Sequence, residues 1–278
     1  MTIFLLVALL FIGAIAAGLL GSITGLGGGV VLIPLLTIVF KVDIHYAIGT
    51  SLISVIATSS GAAAAYVKEG FSNIRIGMFL ELATTFGAIT GAFIAIYTQP
   101  YLIAVVFGVV LLFTVVASFV IKYDIALPQK SSKLAMLLRL NSSYPTPEGE
   151  KKYNVTNVAG GFGMMAIAGI ISGLLGIGSG ALKVIAMDKI MRIPFIVSTT
   201  TSNFMIGVTA AASAGLYLNR GYIDPGLSFP VVLGVLSGAI IGSKILVKAK
   251  TKILRLVFAI VIVLLGIEMI YNGVTHQI

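Results

Sequence analysis

Two glycine-rich phrases hold the residues best suited to chemistry: Gly25-Leu26-Gly27-Gly28-Gly29 and Gly176-Ile177-Gly178-Ser179-Gly180, 151 positions apart. Each precedes a short apolar run. Glycine lets a chain leave helical geometry at little steric cost. A helix restarting after it presents free N–H donors and the positive end of its dipole, a ready place for an anion. Two such starts meeting from opposite sides would make a compact pocket for one small anion. Hydroxyls in equivalent later segments add neutral donors: Thr50 and Ser51 in one copy, Thr199, Thr200, Thr201, Ser202 and Asn203 in the other. Of these, Thr50, Ser51, Thr201, Ser202 and Asn203 join the glycine phrases as candidate binding residues. Lys183 follows Gly180 by three residues, a cation where the helix dipole is already positive. A bound anion or a carboxylate partner resolves that conflict, so Lys183 joins the set. Glu81 is a candidate to pair with a cation or to carry a proton.

Plainer readings stand beside these. Small residues also let helices pack closely, which suits Gly87 with Gly91 and Gly238 with Gly242. Hydroxyls can bond back to their own helix, Lys183 can snorkel to an interface, and Glu81 and Glu268 can reach one. The first phrase lacks the third glycine of a dinucleotide fingerprint, since position 30 is Val30, and has no βαβ context. "GIGSG" is not a hydrolase elbow, because Ile177 stands where that motif needs glycine. The chain has no cysteine and only two histidines, His45 and His276. Thiolate or histidine metal sites and cysteine nucleophiles are therefore not expected, and neither is enzymatic activity or a cofactor.

The elements that position these residues are membrane segments. Of 278 residues, 58% are hydrophobic and 10% charged, against roughly 25% charged in soluble domains. Ten apolar segments are expected, near 2–20, 26–40, 46–66, 76–97, 101–121, 157–175, 179–190, 195–218, 227–246 and 253–272. Crossing a bilayer takes roughly 20 apolar residues, so the second and seventh, which follow the glycine phrases, are short and are re-entrant or discontinuous candidates. The first segment lacks a basic leader and belongs to the repeat, so it reads as a mature helix rather than a signal peptide.

The repeat runs at a constant offset of 151: Gly18 falls on Gly169, Thr50 on Thr201, Ser51 on Ser202, Thr58 on Thr209, Tyr66 on Tyr217, Gly70 on Gly221 and Gly87 on Gly238. Five segments per half is an odd number, so the halves should enter the membrane from opposite sides. Such inverted repeats with glycine-interrupted segments mark secondary transporters. Charge agrees. On this topology 15 of the 18 basic residues fall on one side, Lys41 and Arg220 lie opposite, and Lys183 sits within a segment. Basic loops favour the cytoplasm, which places both termini outside. The expected organisation is a first membrane repeat at 1–122, a cytoplasmic linker at 123–156 and a second repeat at 157–278. In the linker, "SSKLAMLLRL" reads as a short surface helix or as plain connector. The sequons at Asn141 and Asn154 are discounted because a cytoplasmic loop is not glycosylated.

"GLLGSITGLGGGVVLIPLL", "AIGTSLISVIATSSGAAAAY" and "VSTTTSNFMIGVTAAASAGLYL" resemble the sulfite exporter TauE/SafE family, also called the 4-toluene sulfonate uptake permease superfamily. The resemblance covers both halves outside the linker. It implies an inner-membrane transporter of sulfite, organosulfonates, related sulfur oxyanions or organic acids. The family's glycines followed by a proline match Gly27, Gly28, Gly29 and Pro34; the second half departs at Ser179 and Ile185. The expectation is thus an all-α membrane carrier of two inverted repeats, working by alternating access. Its expected partners are a small anion, the lipid bilayer and coupled protons, with no nucleic acid. An anion-conducting channel using the same donors is the alternative.

Overall fold

The structure is a computed structural model and describes residues 3–24, 28–68, 70–120, 131–146, 149–248 and 251–278. Within these, side chains are described except at 3, 21–24, 61–68, 117–120, 242–248 and 251–258. Gly25 and Gly27 lie outside the described residues, as do residues 121–130 of the linker.

The first half runs through α1 (Ile3–Thr24), α2 (Gly29–Pro34), a π-helical turn π1 (Leu35–Val39), α3 (Ile44–Lys68), α4 (Ile74–Tyr97) and α5 (Pro100–Val120). Then come α6 (Lys133–Leu137) and an antiparallel hairpin of β1 (Ser142–Thr146) and β2 (Gly149–Tyr153). The second half is α7 (Val158–Leu175), α8 (Gly180–Ile185), π2 (Ala186–Ile190), α9 (Phe195–Asn219), α10 (Pro225–Lys248) and α11 (Thr251–Val274). At the 151-residue offset, α2 and α8, π1 and π2, α3 and α9, and α4 and α10 begin and end at matching residues.

Local chemistry explains several of these ends. Asn73 caps α4 by accepting the Ile76 N–H at 3.0 Å, and Asn157 caps α7 by accepting that of Gly160 at 3.2 Å. Pro100 and Pro225 open α5 and α10, where a missing N–H costs nothing. Each π turn carries a bond five residues back, Phe40 N–H to Leu35 and Met191 N–H to Ala186. Each then ends on a left-handed basic residue, Lys41 (φ 56°) or Arg192 (φ 59°). Pro34 precedes the first π turn, but Ile185 precedes the second. The proline is therefore not what widens the helix.

Across the halves, α1 packs on α10 and α7 on α4, while α3 pairs with α9 and α5 with α11. Exchanging the halves leaves this pattern unchanged. The contacts match to the residue: a methyl on Gly87 would strike the Ala166 carbonyl, and one on Gly238 would strike that of Ile15, its counterpart 151 positions earlier. Gly18 and Gly169 meet Val235 and Thr84 in the same way. These small residues allow backbone-to-backbone approach.

The outer surface is apolar. Phe4, Phe86, Phe229 and Leu264 are all more than half exposed on their helices, a pattern suited to lipid rather than water. Among the described residues, α4, α7 and α9 are each long and apolar enough to cross a membrane.

The expectation of an all-α chain needs one correction, the β1–β2 hairpin. Its strands, "SSYPT" and "GEKKY", show no apolar alternation. Instead Tyr144 and Tyr153 pack together on one face, and Ser143 donates to Glu150 across the pair. The segment is docked rather than a plain connector. Ala135, Leu140, Tyr153 and Val155 are buried in one cluster with Ile76, Leu80, Met187 and Met191. Asn73 donates to the Tyr153 hydroxyl at 2.7 Å, and Arg75 donates to the Arg139 carbonyl at 2.7 Å. Burial pushes the Tyr153 phenol up, which keeps it neutral there.

Candidate functional site

The second glycine phrase breaks the helix through a run of left-handed residues. Gly176 caps α7 at φ 66°, Gly178 follows at φ 69°, and Ser179 adopts φ 42°, ψ 37° before α8 begins at Gly180. Serine in this region costs roughly 1–3 kcal/mol. Its hydroxyl donates to the Ala168 carbonyl of α7 at 2.5 Å, which offsets part of that cost. In the first copy Gly28 holds the same position in right-handed geometry, φ −65°, ψ −21°. The two phrases touch: a methyl on Gly29 would lie 3.2 Å from the Gly176 carbonyl and would clash with the Ser51 hydroxyl.

The hydroxyls expected to face a ligand are engaged with protein. Ser51 of α3 donates to the Gly176 carbonyl at 2.9 Å, and Ser202 of α9 donates to that of Gly180 at 3.2 Å. The first stabilises a carbonyl freed at the end of α7, and the second adds a bond to the opening residue of α8. Thr50 shares a 3.3 Å bond with Ser228. Thr201 accepts the Asn73 N–H at 3.0 Å and Thr200 donates to the Phe71 carbonyl at 3.0 Å, so this pair ties down the α3–α4 loop. Asn203 is half-buried, and its side chain makes no hydrogen bond among the described residues.

The ionisable residues assemble differently. Lys183 is completely buried and donates to the Thr209 hydroxyl at 2.5 Å. That hydroxyl lies 2.6 Å from Glu81 Oε1 and donates to it. Thr85 donates to the same oxygen at 3.3 Å. A lysine and a glutamate 102 positions apart in sequence are thus joined through one threonine, with no direct ion pair between them. Thr209 was not among the sequence candidates. Its signal was available: it repeats Thr58, and it lies seven residues, two helical turns, beyond Ser202 on the same face. Arg75 takes no part, because its guanidinium is turned to the linker.

A small pocket lies between the halves, lined by Val30 of α2, Val110 and Thr114 of α5, Ile177, and Ser179 through Leu182. It has room for about one water molecule.

A mostly helical chain with a lipid-suited exterior and a buried charged chain is a polytopic membrane protein. Residues 10–269 match the model of the family described as sulfite exporter TauE/SafE. The chain belongs to that family. It is 28% identical over 276 residues to the probable membrane transporter protein YunE of Bacillus subtilis, covering 96% of this chain and 98% of that one. The probable membrane transporter protein YjnA of the same organism is also 28% identical, over 95% and 99% of the two chains. An archaeal relative, the probable membrane transporter protein MJ0441 of Methanocaldococcus jannaschii, is 23% identical over 96% of each. No solved structure matches the chain significantly. Family and relatives place it among membrane transporters.

Proposed function

We propose that the chain carries a small anion, sulfite, a sulfonate or a related sulfur oxyanion or organic acid, across the inner membrane by alternating access. The observation that carries this reading is Lys183, a fully buried cation three residues past a helix break that touches its counterpart from the other half. A lysine at membrane depth costs roughly 2.5–3.5 kcal/mol on insertion scales, so it is expected where it has work to do. The family's printed description supports a sulfur oxyanion as the first substrate to try.

The halves form inverted repeats about an axis in the membrane plane, a reading supported by the pairing pattern that survives their exchange. Domain limits at 122–123 and 156–157 follow from it. The basic linker faces the cytoplasm and both termini face outward, on the distribution of lysine and arginine. Gly28, Gly29, Gly176, Gly178, Ser179, Gly180 and Lys183 surround the anion, with Ser51 and Ser202 bracing the backbone that faces it. Gly25 and Gly27 belong to the same phrase. Alternating access then consists of one half rocking against the other around this point.

Proteoliposome flux with sulfite, sulfate, thiosulfate, methanesulfonate, sulfoacetate and acetate tests the proposal. Saturable flux with counterflow for at least one of these is expected. Ohmic current without counterflow would replace the carrier with a channel, and no flux of any anion would refute the reading.

A further inference from the structure

The Lys183–Thr209–Glu81 chain does more than shelter a cation. Glu81 is 7% exposed, and its two oxygens are treated differently. Oε1 accepts from Thr209 and Thr85, whereas Oε2 is shut off from solvent and has no hydrogen-bond partner among the described residues. An ionised carboxylate is an acceptor on both oxygens; a protonated one keeps Oε1 as acceptor and carries its proton on the other. Oε2 is thus the oxygen left free to take a proton.

The surroundings isolate this equilibrium. Lys183 is the one charged group acting on Glu81, and Glu81 the one acting on Lys183, among the described residues. Among the side chains described, which do not include that of Lys68 at the end of α3, the helices packed on α4 add no further acidic or basic group beside Glu81, and Tyr217 of α9 points to the Gly173 carbonyl. α7 and α9 carry no Asp, Glu, Lys, Arg or His. On π2, Asp188 and Lys189 pair with each other. On α3, His45 bonds to the Ala95 carbonyl at the far end of α4. A buried site with so few groups must keep its net charge near zero, because a bare charge in low dielectric is strongly disfavoured.

We propose that Glu81 is the proton-binding site that couples transport: it takes up one proton each time Lys183 exchanges the carboxylate for a substrate anion, and releases it when the anion leaves. This rests on the transporter reading above. Without substrate, the Lys183 ammonium and the Glu81 carboxylate cancel through Thr209. With substrate, ammonium and anion cancel, and Glu81 is a neutral acid. One anion and one proton enter together, so both states are electroneutral and no covalent bond changes except the O–H formed at Glu81. A second negative charge on the ligand would go uncompensated. The site accordingly selects singly charged anions such as a sulfonate, a carboxylate or hydrogen sulfite.

The test uses the purified full chain in detergent and methanesulfonate, whose own charge is fixed where protein carboxylates and lysines titrate. In the range between the free and anion-bound midpoints of Glu81, wild-type affinity should strengthen about tenfold for each pH unit lowered. One proton should be taken up per anion in weak buffer, and a protonated-carboxyl band should appear in the infrared difference spectrum. E81Q should bind with pH-independent affinity, take up no proton and lack the band. Wild-type binding that is flat with pH and free of proton uptake overturns the inference while leaving anion transport standing. Failure of the wild type to bind or transport methanesulfonate or any other anion of the flux panel overturns both. The wild-type stoichiometry is read without any variant, so a misfolded E81Q leaves the test intact.

Discussion

The two halves share a frame and differ in chemistry. At matching positions the first half carries Leu32, Thr58 and Gly28 where the second carries Lys183, Thr209 and Ser179. Glu81 of α4 matches Val232 of α10. Leu32 is buried in the apolar core, and Thr58 bonds only to carbonyls of its own helix. Lys183 and Thr209, in the same frame, reach Glu81. The duplicated frame supplies two short helices that follow glycine phrases, two π turns and the packing between halves. The substitutions place the buried cation in the second copy and the buried carboxylate in the first, so one anion site per chain is expected rather than two.

The largest expected effect separates Lys183 from Leu32. Charge-assisted bonds are worth about 1.5–3 kcal/mol, so Lys183→Ala should weaken anion binding by about 10- to 100-fold. Leu32→Ala should instead cost about 2–5 kcal/mol of stability and leave anion affinity unchanged, as read by thermal unfolding and equilibrium binding in detergent. Equal loss of affinity in both variants would erase the distinction between the copies.

Next comes the threonine pair. Thr209→Val removes the hydroxyl that links Lys183 to Glu81, leaving Lys183 without that acceptor and Glu81 with Thr85 alone, an expected loss of about 1–3 kcal/mol. Thr58→Val should stay within about 0.5 kcal/mol, since only a bond to its own helix is lost. Matching unfolding midpoints for the two variants would count against the Lys183–Thr209–Glu81 chain.

A smaller effect concerns the left-handed break. Ser179→Ala keeps the strained backbone and loses the bond to Ala168, whereas Ser179→Gly loses the bond but relieves the strain. The glycine variant should be the more stable of the two by about 1 kcal/mol. The reverse order would show that residue 179 is not left-handed in the membrane. The smallest effect is expected for Pro34→Ile, which copies the second half into the first. Ile185 already precedes a π turn, so stability should change by less than about 1 kcal/mol. A drop of several kcal/mol would mean that the first π turn depends on its proline.

Much of this frame was legible in the sequence because glycine, threonine and tyrosine recur at one offset, and hydropathy marks the intervening helices. Lys183 and Glu81 stood out as ionisable residues in apolar runs. Their connection did not, because it spans α4, α8 and α9 and passes through a threonine that looks like any other helical hydroxyl. The roles of Ser51, Ser202 and Thr201 were equally hidden. Residue type identifies a hydroxyl but not which backbone group it serves, and here the backbone around the break and the α3–α4 loop claims them. The β1–β2 hairpin carried no alternating pattern, because it is held by one tyrosine face and by docking onto Asn73.

Equilibrium binding of a transported anion to purified wild type, Lys183→Ala and Leu32→Ala, with stoichiometry measured alongside affinity, tests the central claim most directly. The account predicts one site per chain, lost or severely weakened in Lys183→Ala and intact in Leu32→Ala. Two sites per chain, or wild-type affinity in Lys183→Ala, would contradict it.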